Sequence, residues 1–128
     1  MQEPDQVLDA IAHSVIGAAI EVHRELGPGF LESTYAKALA IELSHRDIKF
    51  VQEAAIQLAY KGKLIGEGRL DLLVEDRLIV ELKAAERIAP IHHAQVVSYL
   101  KATGKTIGLL INFNVEVLRD GIKRIILS

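Results

Sequence analysis

An α/β fold, a mixed β-sheet with helices packed on it, follows from three features of the sequence. Apolar residues recur at helical spacing through the N-terminal third. The pattern then switches to strand alternation from Phe50, and one more helical stretch separates two groups of strands.

Leu8, Ile11, Val15, Ala19, Val22 and Leu26 form one helical stripe from Gln6 to Leu26, with Asp5 as N-cap and Gly27-Pro28-Gly29 as the stop. A second helix runs from about Leu31 to His45, carried by Leu31, Tyr35, Leu39 and Leu43. Phe50 to Tyr60 reads as a strand with Ile56, Leu58 and Tyr60 on one face, and Lys61-Gly62-Lys63 as the turn after it. Leu64 to Val74 and Leu78 to Ala84 are two more strands, joined at Glu75-Asp76-Arg77. Pro90 suits the first turn of a third helix that ends near Gly104. The apolar run Thr106 to Phe113 fits a central strand, and Asp120-Gly121 turns the chain into a last strand, Ile122 to Leu127. The order is α-α-β-β-β-α-β-β.

With 128 residues, no internal repeat and no linker-like tract, residues 1–128 are expected to form one domain. No apolar run approaches the ~20 residues of a membrane span, and the acidic start does not resemble a secretory signal. The absence of cysteine excludes disulfides, thiol catalysis and cysteine-ligated metal, and fits a cytoplasmic location. A net charge of −2, from 15 basic and 17 acidic residues, is not that of a dedicated DNA-coating protein.

Four polar features stand where packing would place apolar residues. Asp71 interrupts Leu70 to Val74; it is either an edge residue facing water or a paired or metal-bound carboxylate. Strand alternation puts Glu81 and Lys83 on one face of Ile79 to Ala84, as a half-exposed ion pair or as site residues. Glu32 heads the stripe Ala36, Leu39 and Leu43, where it either favours the helix dipole or faces the sheet as a further ligand. Gln95 and Tyr99, four apart on the third helix with His92 on the same side, need polar partners, which are structural or belong to a substrate.

A geometric condition joins the first two features. With a three-residue loop at Glu75-Asp76-Arg77, Val74 opposes Leu78 and Asp71 opposes Glu81, so two carboxylates and an ammonium converge. With a two-residue loop and no bulge, Asp71 opposes Val80 and no site forms. Adjacent carboxylates repel, and oxygen-only ligands suit Mg²⁺ or Mn²⁺. Such an ion with a neighbouring lysine suits phosphodiester hydrolysis. His13 and His23 are expected to be core or surface histidines. Lys61, Lys63, Arg69, Lys101, Lys105, Lys123 and Arg124 are expected to be solvated, or to touch a phosphate backbone.

Asp71 followed by Glu81-Leu82-Lys83 resembles the Asp…(Asp/Glu)-x-Lys signature of the PD-(D/E)XK nuclease superfamily, with Leu70 in place of the proline. Gln95-x-x-x-Tyr99 and the helical Glu32 resemble motifs of its recombination-exonuclease branch. Gly29-Phe30-Leu31-Glu32-Ser33-Thr34-Tyr35 is similar to the pattern that names the GxxExxY protein family, and the likeness extends from His23 to Arg124. The resemblance implies a restriction-endonuclease-like core with Asp71 and Glu81 as metal ligands and Lys83 as the catalytic lysine. Glu32 would be an auxiliary ligand, and Gln95, Tyr99 and His92 would be accessory or substrate contacts. The implied activity is that of a Mg²⁺- or Mn²⁺-dependent nuclease on DNA, with two copies offsetting the small footprint of one chain. The other class it allows is a non-catalytic nucleic-acid-binding or protein-interaction module that keeps the fold.

Overall fold

A computed structural model describes residues 6–127, so the expected cap at Asp5 lies outside the described residues. The helical stripes become α1 (Gln6–Leu26) and α2 (Glu32–His45). The strand patterns become β1 (Phe50–Tyr60), β2 (Lys63–Val74) and β3 (Leu78–Lys83). After α3 (Pro90–Thr103) come β4 (Ile107–Asn112), a 3-10 turn (Leu118–Gly121) and β5 (Ile122–Ile126). Gly104 closes α3 in the left-handed conformation, φ 72°, as its missing Cβ allows. Lys63, expected in a turn, is the first residue of β2: Lys61 and Gly62 both take positive φ, and Tyr60 pairs with Lys63 across a two-residue turn.

The strands form one sheet whose spatial order follows chain order, β1-β2-β3-β4-β5. All neighbours are antiparallel except β3 and β4, which are parallel and joined through α3. One buried cluster lies between the sheet and α1 and α2, with Val15, Ala19, Leu39 and Leu43 against Leu72, Val80, Leu109 and Ile111. A smaller cluster joins α3 (Val96, Leu100) to Ile79, Leu110 and Leu70 on the opposite face. β4 is buried at every residue, as expected of a central strand covered on both faces. Among the described residues, no helix is long and apolar enough to cross a membrane.

The β1–β2 hairpin is longer than the sheet it belongs to. Of β2, only Leu72 to Val74 pair with β3, so the far half of the hairpin projects, and residues 63–67 are all exposed. This is why Tyr60, on one face of the strand with Ile56 and Leu58, is 61% exposed. His23 is a buried core histidine whose Nε2 donates to Val115 O (2.8 Å).

Candidate active site

The loop after β2 meets the geometric condition set by the sequence. Val74 pairs with Leu78, so Glu75-Asp76-Arg77 is a three-residue loop, and the Arg77 N–H closes it on Val74 O (3.0 Å). Glu75 and Asp76 both have left-handed φ (53° and 58°), and Glu75 is further tied to Lys49 by two hydrogen bonds of 2.9 Å. The regular ladder runs Val74–Leu78, Leu73–Ile79, Leu72–Val80. Continuing it by one step sets Asp71 opposite Glu81.

There the ladder changes character. The Asp71 N–H donates to Glu81 Oε2, and the Leu82 N–H donates to Asp71 Oδ2, each at 2.7 Å. The two carboxylates thus take the backbone donors of the opposing strands at the point where β2 and β3 part. Two residues apart on a strand should share a face, yet Leu70 packs on the α3 side and Leu72 on the α1–α2 side. The same inversion separates Phe50 from Ala54 in β1. Between them lies Glu53, level with Asp71 in the register and left-handed at φ 51°, which turns the strand over.

A cavity of about 230 Å³ opens here, lined in part by Glu32, Ser33, Gln52, Glu53, Asp71 and Leu82. Glu32 therefore faces the sheet from the first turn of α2. That placement is built by the residues just before and after it. Buried Tyr35 donates its hydroxyl proton to Gly27 O (2.6 Å), accepts the Phe30 N–H (3.2 Å) and stacks on Phe113 with ring centroids 4.5 Å apart. This lock fixes the turn between α1 and α2, although Leu31 offers the helix no side-chain cap.

The electrostatics reflect carboxylates gathered at one place, with Glu81 buried, Asp71 half-buried and Glu32 and Glu53 exposed. Burial pushes the Glu81 carboxyl up to about 7, and the Asp71 and Glu32 charges add to it; the Asp71 N–H and Lys83 oppose the shift. Asp71 is raised first by burial and then by Glu53, against the Leu82 N–H bond and Lys83. Glu32 is raised by burial, Asp71 and Glu53, and lowered by Lys83 and His92. Glu32, Asp71, Glu81 and Lys83 thus act on one another. His92 reaches the same field, while its Nδ1 accepts the Ala89 N–H at the start of α3 (3.1 Å). Gln95 and Tyr99 instead engage each other, Nε2 to hydroxyl at 3.3 Å, and the Tyr99 ring lies over Gly68 of the hairpin.

Two further residues contribute in roles that the sequence pattern does not reveal. Glu53 is a fourth carboxylate, on a strand whose alternation gives no sign of its left-handed turn. Asn112, 2% exposed, holds the chain that leaves Lys83: its Oδ1 accepts the Ala85 N–H (3.0 Å) and its Nδ2 donates to Ala85 O (2.9 Å). A buried asparagine ending an apolar strand was the available signal. A larger cavity, about 360 Å³, is lined by Lys49, Phe50, Val51, Leu73, Glu75 and Asp76, and none of Glu32, Asp71, Glu81 and Lys83 borders it.

Among the described residues, no three carboxylate or imidazole side chains stand close enough to cage an ion as they are. The donor chemistry nevertheless fits a hard divalent cation. Buried Glu81 and half-buried Asp71 lie side by side, each has one oxygen on a backbone N–H, and their remaining oxygens suit Mg²⁺ or Mn²⁺.

A mixed sheet between helices, with an acid–acid–lysine set where two strands part, defines a nuclease-like α/β protein. The family model of the PD-(D/E)XK nuclease superfamily matches residues 9–125, and the chain belongs to that superfamily. No curated protein matches the sequence. Among solved structures, the chain is similar to "Crystal structure of SSO0001", with a TM-score of 0.51 and 19% identity over 72% of this chain. That likeness is one of fold, and the aligned part spans 46% of the other chain.

Proposed function

We propose that the chain is a Mg²⁺- or Mn²⁺-dependent nuclease that hydrolyses phosphodiester bonds in DNA, acting in the cytoplasm as one domain with one site. Within its superfamily we assign it to the GxxExxY family, on Gly29, Glu32 and Tyr35. The observation that carries the activity is the cross-bonded pair Asp71 and Glu81 beside Lys83. Burial and the neighbouring Asp71 charge both raise the Glu81 carboxyl, and a divalent cation relieves that conflict.

Asp71 and Glu81 would hold the ion, with Glu32 as an auxiliary ligand across the cavity. A bound ion supplies Lewis acidity at a phosphoryl oxygen. Lys83 Nζ donates hydrogen bonds to the attacking water or to the negative charge that grows on the phosphoryl oxygens. The water oxygen forms the new bond to phosphorus as its proton passes to solvent, and the bond from phosphorus to the leaving oxygen breaks, that oxygen keeping the electron pair and taking a proton from solvent. Gln95, Tyr99 and His92 offer an amide, a phenol and an imidazole to the substrate's phosphates and bases. Two copies acting together would enlarge the footprint on a duplex.

Wild type and Lys83→Ala are incubated with single-stranded, duplex and branched DNA and with RNA, in Mg²⁺ or Mn²⁺. Lys83→Ala should lower the cleavage rate by about 10²-fold or more. Equal cleavage by both proteins would sink the assignment. No cleavage of any substrate would turn it to a nucleic-acid-binding or protein-interaction module that keeps the fold.

A further inference from the structure

The two edges of the sheet are built differently. β5 is five residues long and carries exposed Lys123 and Arg124, a short charged edge of the kind that resists pairing. β1 is 11 residues long, and from Ala54 to Tyr60 it has no charge, proline or glycine. The hairpin's bulge does not blunt it either. The register shift at Leu58/Ala59 leaves Ile65 of β2 as the extra residue, so β1 keeps its regular course. Among the described residues, β1 pairs only with β2. Its outer N–H and C=O groups are a template for another strand.

We propose that β1 pairs antiparallel with β1 of a second copy of this chain, with Gln57 on the twofold axis, joining two five-stranded sheets into one. The occupant and register follow from self-complementarity. About Gln57, Ile56 faces the partner's Leu58, Ala55 faces the partner's Ala59, and the small Ala54 faces the partner's Tyr60, which is 61% exposed in one chain. One step further out, at both ends and just beyond the regular ladder, Glu53 comes level with the partner's Lys61, the first residue of the hairpin turn. Moving the axis to Ile56 sets Glu53 against the partner's Ala59. Moving it to Leu58 sets Glu53 level with the partner's Lys63, which has already turned back into β2. Only the Gln57 axis among these combines apolar, small-against-large and acid–base pairs. Because Glu53 lines the carboxylate cavity, each copy also brings a lysine to the rim of the other's site.

The chain has no cysteine, so one introduced thiol reports the register. Opposed antiparallel residues have Cα atoms about 4.5–5.5 Å apart, within disulfide reach. Gln57→Cys should therefore oxidise to a covalent dimer. Ala55→Cys alone should not, whereas mixed with Ala59→Cys it should. In sedimentation, wild type should be dimeric at about 50 µM and Gln57→Lys, with two ammoniums on the axis, monomeric with an unchanged circular dichroism spectrum. Lys61→Glu should weaken dimerisation by about 10-fold or more, and Glu53→Lys combined with Lys61→Glu should restore it. Monomeric wild type at that concentration, or equal cross-linking of the Gln57→Cys and Ala55→Cys variants, would overturn the proposal. None of these readouts depends on nuclease activity, so the interface and the catalytic assignment fail separately.

Discussion

A carboxylate that is 4% exposed and set opposite a second one is charged only at a cost to the folded state. For Glu81 the folded pKa is raised from 4.5 to about 7. Below pH 4.5 the group is protonated in folded and unfolded chains alike, and its contribution is intact. Between 4.5 and 7 the unfolded chain gives up the proton while the folded chain keeps it, so stability falls as pH rises and levels off above 7. The full loss is of order 3 kcal/mol, reduced where solvent reaches the pair. Glu81→Gln keeps an oxygen for the Asp71 N–H and removes the charge. Urea unfolding at pH 4.5, 6 and 8 should show a markedly smaller decline in this variant than in wild type, with a remainder from Asp71. Equal slopes would assign the pH dependence elsewhere. Asp71, Glu81 and Lys83 were legible because charges interrupt apolar strands there. Glu53 was not, because a left-handed residue inside a strand leaves no periodic trace.

The elements show where pattern suffices and where it does not. Helical spacing and Gly/Pro punctuation define α1, α2 and α3 to within a residue or so, since burial of a stripe imposes its own period. Alternation cannot reveal the inversion at Asp71, because Leu70 and Leu72 read as one face and pack on two. Nor can it show that half the hairpin leaves the sheet. The join between α1 and α2 depends on Tyr35, whose hydroxyl serves both Gly27 O and the Phe30 N–H. Tyr35→Phe strands a partly buried carbonyl and should cost about 1–3 kcal/mol in denaturant unfolding. It should also weaken cation binding, read by titration calorimetry, because Glu32 starts the helix that this lock orients. Unchanged stability and affinity would mean that the Phe113 stack alone holds the turn.

At the scale of the whole molecule, a cation held by the carboxylate cluster as proposed would link its binding to folding. Mg²⁺ at about 100 times its dissociation constant should stabilise the fold by about 2.7 kcal/mol. Thermal unfolding at pH 7.5 should show that gain in wild type and not in Asp71→Asn. A gain of the same size in both would place the cation elsewhere. The sheet's order also bears on how the chain assembles. Every strand pair joins consecutive strands, and the one parallel step is closed over α3. Contacts therefore accrue with short loop closures, and no late segment has to thread between strands already paired. Glu32, Asp71, Glu81 and Lys83 all precede α3 in the chain. A chain emerging N-terminus first can bring its acids and lysine together on α2 and the first three strands, and then cover the far face with α3 and extend the sheet with β4.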